Sequence, residues 1–390
     1  MLKPITEDSP VSPCPLCGSV EAELLLAPHP LQSVTSSAVI IDSPLQKMQC
    51  LECGLLRQHH IDLKAKNDLY RDKYGVYYKR LGTAASEAAR YSAMAERMFA
   101  EIEGFQPSSV LDVGCGAGLF LNAMRKIRPT LTYAGIEPSI ENSENARSLG
   151  FAVANGFVPG ATPPGNTYDL VVTTHVITHI RDTVGFLSAL AAMTAPAGMI
   201  GILFYQGDQP GADLLWADVE YSFCRKHLIA LACKAGLYLS HNNDTDQSKD
   251  DTEILIFKRS NSPAPAPQMS VVDRDKLLDE RRRYFMAWRQ LAARLEERSR
   301  KSSGPVLNFG ASFWTMLLAA YCPKYWDRVT ACIVDGEEGR FLGKSVIGIN
   351  QVSAAQSPLI VLGTNPASQA FLARRFSSFD VVVWDNLIAR

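Results

Sequence analysis

Short apolar runs alternate along this chain with longer stretches in which apolar and polar positions follow a helical rhythm. Residues 108–113 read as a short strand running into the loop Gly114-Cys115-Gly116-Ala117-Gly118, and residues 119–126 as the helix behind it. Residues 131–136 form the next expected strand, ended by Glu137. The helix expected over 139–149 stops at Gly150, a residue type that ends helices readily. Two further buried strands are expected at 170–174 and 199–205. This alternation predicts an α/β fold with a parallel, doubly wound sheet, in which ligands bind at the carboxyl ends of the strands.

The same grammar recurs towards the C-terminus. A strand at 305–309 meets Gly310-Ala311-Ser312, a helix follows at 313–321, and strands are expected at 329–334, 359–362 and 381–384. The loops at 310–312 and 363–365 end strands and are of a kind that can cradle a phosphate, although neither is a Walker loop or a full dinucleotide fingerprint. Between the two regions lies the Pro/Ala-rich tract 261–268, a semi-rigid linker by composition. After it, Leu277, Tyr284, Trp288, Leu291 and Leu295 make an apolar stripe on a charged helix, expected to pack on a neighbouring unit. The polar tract 242–251 reads as a solvated turn. Three regions follow: 1–66, 67–262 and 263–390.

Residues 183–207 carry no formal charge, which raises a membrane span as an alternative. The segment TAPAG at 194–198 reads as a turn, so helix, turn and buried strand fit better. With 39 Lys+Arg against 40 Asp+Glu in 390 residues, the net charge of −1 argues against a nucleic-acid partner. The N-terminus shows no apolar leader, so a cytoplasmic chain with no membrane partner is expected.

Nine cysteines in a chain of this size are not a disulfide framework. Four fall in two CxxC knuckles, Cys14/Cys17 and Cys50/Cys53, with Gly18 and Gly54 directly behind them. Four thiolates in that arrangement suit tetrahedral Zn²⁺. A site closed by four Cys ligands has no open position for catalysis, so the expected zinc is structural. The other five cysteines sit in apolar surroundings, as small buried hydrophobes do.

The glycine loop departs from the dinucleotide fingerprint, which would place glycine where Leu119 stands. Asp112 just before it suits a cationic amino group rather than a pyrophosphate, and Glu137 ends the next strand where an acid can take both ribose hydroxyls. The run from Val110 to Leu119, with Asp112, Gly114, Gly116 and Gly118, followed by Glu137 and Pro138, resembles motif I and the next acidic position of class I S-adenosylmethionine (SAM)-dependent methyltransferases. Asn155-Gly156-Phe157 resembles the adenine-holding position of that family, residues 168–172 its site-closing strand, and Ala195-Pro196-Ala197-Gly198 its turn before the fifth strand. The resemblance implies SAM as cofactor.

The whole chain also resembles a narrower group, the three-domain C-methyltransferases of nucleotide-linked keto-deoxysugars, through CPLCGS, CLECGLLRQ, LYRDKYGVYY, NFGAS and IVDGEEGRFLGKSVIGI. That resemblance implies a zinc-binding module, a SAM domain, and a Rossmann-like C-terminal domain that helps enclose the nucleotide sugar. Carbon becomes a nucleophile only when a base removes a proton beside a carbonyl, and a positioned base is worth about 10²–10⁴-fold. His179, at the ligand end of the fourth strand, matches a histidine that faces the sugar in those enzymes; His175 would lie nearer the cofactor, and Tyr77 where the family folds a segment over the site. The family's histidine after the fifth strand is replaced by Val219, and Trp216 stands where a Tyr is usual, leaving Asp218, Glu220 or Tyr221 as substitutes. The expected reaction is therefore base-assisted C-methylation of a small, nucleotide-linked keto sugar. O- or N-methylation of another small acceptor and a non-catalytic SAM-binding scaffold are the alternatives.

Overall fold

The computed structural model describes residues 12–59, 67–68, 70–71, 84–165, 167–240, 252–259, 267, 270–336 and 338–384. Tyr77, the tract 242–251 and nearly all of the 261–268 linker lie outside the described residues.

A seven-stranded sheet organises the middle of the chain. Its order is Leu237–Leu239, Thr252–Arg259, Thr194–Tyr205, Tyr168–Thr174, Ser109–Val113, Thr132–Glu137 and Ala152–Asn155. The chain winds outward from Ser109–Val113 to Ala152–Asn155, then returns to the other side at Tyr168–Thr174, so a topological switch point opens beside the glycine loop. The five strands from Thr194–Tyr205 to Ala152–Asn155 run parallel, as expected. Thr252–Arg259 is antiparallel to both its neighbours, so the sheet is mixed rather than wholly parallel. Two strands adjacent in sequence at one edge can pair without a crossover helix, and antiparallel pairing is the outcome.

Strand alternation decides which face each residue serves. Val110, Leu170, Val172 and Leu203 pack against Met94 and Met98 of the helix Ala84–Glu101. Leu111, Val113 and Val171 face the other way, onto Phe186, Leu187 and Leu190 of Thr183–Met193 and Leu228 and Leu231 of Arg225–Lys234. Burial on both faces explains why these strands read as continuous apolar runs.

Residues 183–207 form a helix, Thr183–Met193, joined directly to a strand, Thr194–Tyr205. The turn expected at 194–198 is instead a register irregularity inside that strand, because Thr194 already pairs with Tyr168 before regular pairing resumes at Met199. Among the described residues no helix is long and apolar enough to cross a membrane.

Three smaller sheets accompany the large one among the described residues, one of them the two-stranded pair Ser33–Val34 and Ile40–Ile41. Ala22–Leu24, Lys47–Cys50 and Leu56–Gln58 form an antiparallel sheet completed by Tyr221–Ser222 from the middle region. The C-terminal sheet, in the order Gly339–Phe341, Lys344–Gly348, Val329–Val334, Val306–Phe309, Leu359–Leu362 and Asp380–Val382, is parallel except at its first strand. One hydrophobic core draws side chains from all three regions: Val34 and Leu56, then Leu214 and Leu215, then Trp288, Leu291 and Leu295, then Leu317, Tyr321 and Trp384. The helix Val271–Lys301 is its spine, with the expected stripe buried on it and Arg281 fully buried beside it.

The C-terminal glycine loops have a packing explanation. A Cβ on Gly310 would meet the carbonyl oxygen of Gly363 at 2.8 Å, and one on Gly363 would meet Asn308 Oδ1 at 2.4 Å. Buried Asn308 donates to Gly310 O and Thr315 Oγ1, Thr315 donates to Gly363 O, and Tyr325 donates to Asn308 Oδ1. Asp335, directly after the strand Val329–Val334, is held in a bidentate pair by Arg375.

Candidate functional site

The three loop glycines all adopt positive φ, yet they serve different ends. A Cβ on Gly114 would lie 2.3 Å from Val176 Cγ2, and one on Gly118 would crowd Ala146 and Phe151. Gly116 faces open space, so it is the one whose bare backbone borders the crevice. Its N–H donates to Glu137 Oε2 at 2.8 Å, and Ser139 N–H donates to Glu137 Oε1 at 2.8 Å. Burial pushes the Glu137 carboxyl up to about 6, with those two N–H groups pulling back. Pro138 and Ser139 follow, Ser139 capping the helix Ile140–Ser148.

Asp112 is 1% exposed and its Oδ1 has no hydrogen-bond partner among the described residues. Burial, and then the neighbouring charge of Glu137, push its carboxyl up to about 8. A buried carboxylate oxygen with no donor is an unmet demand for a cationic or N–H group, which the amino end of SAM would satisfy. On the far side, Asn155 Nδ2 donates to Glu137 O, Pro138 O and Ser143 Oγ, and Gly156 N–H donates to Glu137 O. The Asn155 amide nitrogen thus pins the two strand ends together. Phe157, beyond it, is exposed.

Sequence reasoning missed the partner of His175. Asp112 is paired in register with Val172, so Asp112 and Thr174 share the sheet face covered by the helix Ala84–Glu101. From that helix Arg90 Nη2 donates to His175 Nε2 at 2.9 Å and to the Tyr205 hydroxyl at 3.0 Å. His175 stacks on Tyr205 with ring centroids 4.1 Å apart, at a φ of 56° that is costly for a side-chain-bearing residue. Burial first, then Arg90 and His179, hold its pKa well below the ordinary imidazole range. Because Arg90 occupies Nε2, the ring proton lies on Nδ1, which is buried without a partner among the described residues, as is Thr174 Oγ1. His175 is therefore a neutral donor rather than a base. One of two arginines in a helix of mixed charge, Arg90 gave no sequence signal for this role.

His179 ends the 3₁₀ turn Ile177–His179. Its Nδ1 lies 2.7 Å from the Tyr70 hydroxyl and 3.1 Å from the Asp218 carbonyl oxygen. Tyr70 donates to Asp218 Oδ2 at 2.7 Å, and Ser36 donates to Asp218 through its N–H and its hydroxyl. Burial favours the neutral form of Asp218, but His179 and these donors outweigh it, so its carboxyl stays below the usual range. Of the substitutes considered for the absent histidine, Asp218 reaches His179. Glu220 pairs with Arg181, Tyr221 donates to Arg181 O, and the carbonyl of buried Val219 accepts from Lys47. Trp216 lies edge-on between Tyr205 and Phe313.

The four knuckle sulfurs all lie within 4.8 Å of one another, with Cys14–Cys53 at 3.6 Å and Cys17–Cys50 at 3.5 Å. Tetrahedral ligands at ~2.3 Å from a metal would place sulfurs roughly 3.8 Å apart, so the donor set fits a metal ion. Each knuckle makes the same turn, Gly18 N–H to Cys14 O and Gly54 N–H to Cys50 O, with positive φ at both glycines. Cationic side chains grip the knuckle carbonyls: Lys234 on Pro15 and Leu16, Arg274 on Leu51 and Glu52, and Arg281 on Gly54. His227 lies 2.7 Å from Cys53 O.

Residues 85–231, under half of the chain, match the family model described as a methyltransferase domain. The chain carries a class I SAM-dependent methyltransferase domain. A ubiquinone biosynthesis O-methyltransferase of Rhizobium leguminosarum bv. trifolii is 33% identical over 97 residues, covering 23% of this chain and 38% of that protein. An uncharacterized methyltransferase of Schizosaccharomyces pombe is 30% identical over 151 residues, covering 35% of this chain and 51% of that protein. The chain thus spans about half, or less, of these curated relatives. Among solved structures, a mitomycin 7-O-methyltransferase is 17% identical, with 51% of this chain and 66% of that one covered and a TM-score of 0.39. The match to the methyltransferase domain spans the glycine loop, Glu137, His175 and His179, and ends before the C-terminal sheet.

Proposed function

We propose that this protein transfers a methyl group from SAM to a small acceptor, with His179 as the base, and that the acceptor is a nucleotide-linked keto-deoxysugar methylated on carbon. The observation that carries the reading is the fixing of His179 by Tyr70 and Asp218 at the ligand end of the sheet, together with a buried Asp112 oxygen that has no donor among the described residues. When bound, SAM supplies a methyl activated by a sulfonium. In this reading Asp112 takes its amino group, Glu137 the ribose hydroxyls, and Gly114, Gly116 and Gly118 admit the backbone. Pro138, Asn155, Gly156 and Phe157 border the adenine, and His175 donates its Nδ1–H inside the crevice. His179 would remove the proton beside the acceptor's carbonyl and so leave the enolate carbon as the nucleophile. Cys14, Cys17, Cys50 and Cys53 hold a structural zinc, and residues 263–390 help enclose the nucleotide.

O-methylation is the second reading. It is favoured by Val219, which offers no proton-handling group where the resembled enzymes have a histidine, and by the O-methyltransferase name of the Rhizobium relative. Mass spectrometry with isotope-labelled SAM and panels of nucleotide-linked keto sugars and of phenols separates the two, with product NMR locating the methyl. A labelled carbon on a keto sugar supports the first reading. A labelled ether supports the second and removes the first.

A further inference from the structure

We propose that Tyr70 and Asp218 are positioning residues that keep the ring proton of His179 on Nδ1, so that the lone pair needed for base catalysis sits on Nε2. The inference rests on the reading of His179 as the base and deepens it.

Hydrogen-bond bookkeeping carries the argument. An ionised carboxylate only accepts, and Asp218, fully buried yet ionised, accepts from Ser36 N–H at 2.7 Å, Ser36 Oγ at 2.6 Å and Tyr70 at 2.7 Å. A phenol has one proton, and the Tyr70 proton is spent on Asp218. The 2.7 Å contact between Tyr70 and His179 Nδ1 can then be a hydrogen bond only if Nδ1 donates. The Asp218 carbonyl oxygen, 3.1 Å from the same nitrogen, can also only accept. Both partners therefore select the Nδ1–H tautomer. The carboxylate, with Oδ2 3.7 Å from Nδ1, is placed to stabilise the imidazolium formed when Nε2 takes a proton.

The anchor is long-range. Ser36 lies in the turn between the short strands Ser33–Val34 and Ile40–Ile41, Asp218 follows the last strand of the parallel series, and Tyr70 lies between the two in sequence. Glu220 N–H donates to Thr178 O at 2.8 Å, tying the Asp218 segment to the turn that carries His179. The proton transfer balances simply. The acceptor's C–H or O–H bond breaks, an Nε2–H bond forms, and the electron pair left on the acceptor makes the new bond to the methyl as the sulfonium becomes a thioether.

Long-range proton–nitrogen NMR correlation on the full-length protein with isotope-labelled histidine reads the tautomer directly, the His179 signals being assigned by their loss in His179→Gln. The wild type should show a protonated Nδ1 and a pyridine-like Nε2; a protonated Nε2 in the neutral ring overturns the proposal. In Asp218→Asn an amide N–H can donate to the Tyr70 oxygen, which turns the hydroxyl towards Nδ1 and moves the ring proton to Nε2. That variant should lose at least about a hundredfold in turnover, with S-adenosylhomocysteine (SAH) affinity unchanged. Tyr70→Phe, a milder change, should give a mixture of tautomers and about a tenfold lower kcat with unchanged KM for SAM. A wild-type tautomer in both variants overturns the proposal. Wild-type turnover by His179→Gln would instead sink the base reading, and the NMR result would show that separately.

Discussion

Asp112 and Glu137 stand at the ends of neighbouring parallel strands, with Glu137 fastened by two backbone N–H groups and Asp112 Oδ1 accepting none among the described residues. The asymmetry separates their carboxyls, at about 8 for Asp112 and about 6 for Glu137. In the free protein Asp112 is mostly protonated at neutral pH, and a bound ammonium requires it ionised. Binding should therefore release a proton. Calorimetric SAH affinity is expected to rise by up to about tenfold per pH unit between pH ~6 and ~8 and to level off above that range. The slope should vanish in Asp112→Asn; a slope that persists there would assign the proton to another group.

The same shift has a stability consequence of definite sign. A carboxyl raised in the folded state contributes stability that is complete below its unfolded pKa of roughly 4, and that is lost as pH rises through about 8. The rise in Tm produced by a saturating SAH concentration should be larger at pH ~8 than at pH ~6. An equal or smaller rise would contradict the placing of a cation at Asp112.

Gly114 and Gly116 should respond differently to alanine. Gly114→Ala drives a methyl into Val176 at a φ of 81° and should cost about 3 kcal/mol of stability by denaturant titration. Gly116→Ala meets no neighbour and should cost only about 1 kcal/mol, yet weaken SAH binding by tenfold or more because its bare backbone borders the crevice. Unchanged SAH affinity in folded Gly116→Ala would remove that assignment.

Metal analysis should find about one zinc per chain, abolished by Cys50→Ser together with Cys53→Ser. Stripping the ion should expose the knuckles, loosen the grip of Lys234, Arg274 and Arg281 on their carbonyls, and lower Tm. A metal-free protein with an unaltered Tm would count against the structural role.

Arg281 is fully buried and donates to Gln49 Oε1, Gly54 O and Gly207 O. Arg281→Met leaves those three acceptors without a donor and should destabilise the fold by at least about 3 kcal/mol in equilibrium unfolding. A loss under about 1 kcal/mol would show that the N-terminal sheet docks without it.

Much of this was legible along the chain. The apolar runs located the parallel strands, the glycine–acid pattern located the positive-φ loop and the strand ends beside it, and the two CxxC knuckles located the sulfur cluster, because each is a short-range signal with a fixed period or spacing. The TAPAG segment misled because its turn-forming residues lie where Thr194 is already captured by the neighbouring strand. The glycines at 310 and 363 suggested a ligand loop; close packing also requires them, since a Cβ on Gly310 would meet Gly363 O and one on Gly363 would meet Asn308 and Thr315.

Which residues can bury, where strands end in permissive backbone, and which side chains carry charge or thiolate are properties of local pattern, and the chain alone dictates them. Their protonation and pairing come from long-range contacts. Arg90 reaches His175 across a helix–sheet interface, Ser36 and Tyr70 meet Asp218 from distant positions, and Glu137 is fastened while Asp112 Oδ1 finds no donor among the described residues. A proton's location and a carboxyl's charge depend on which donors and acceptors lie within ~3 Å, and no spacing along the chain specifies that.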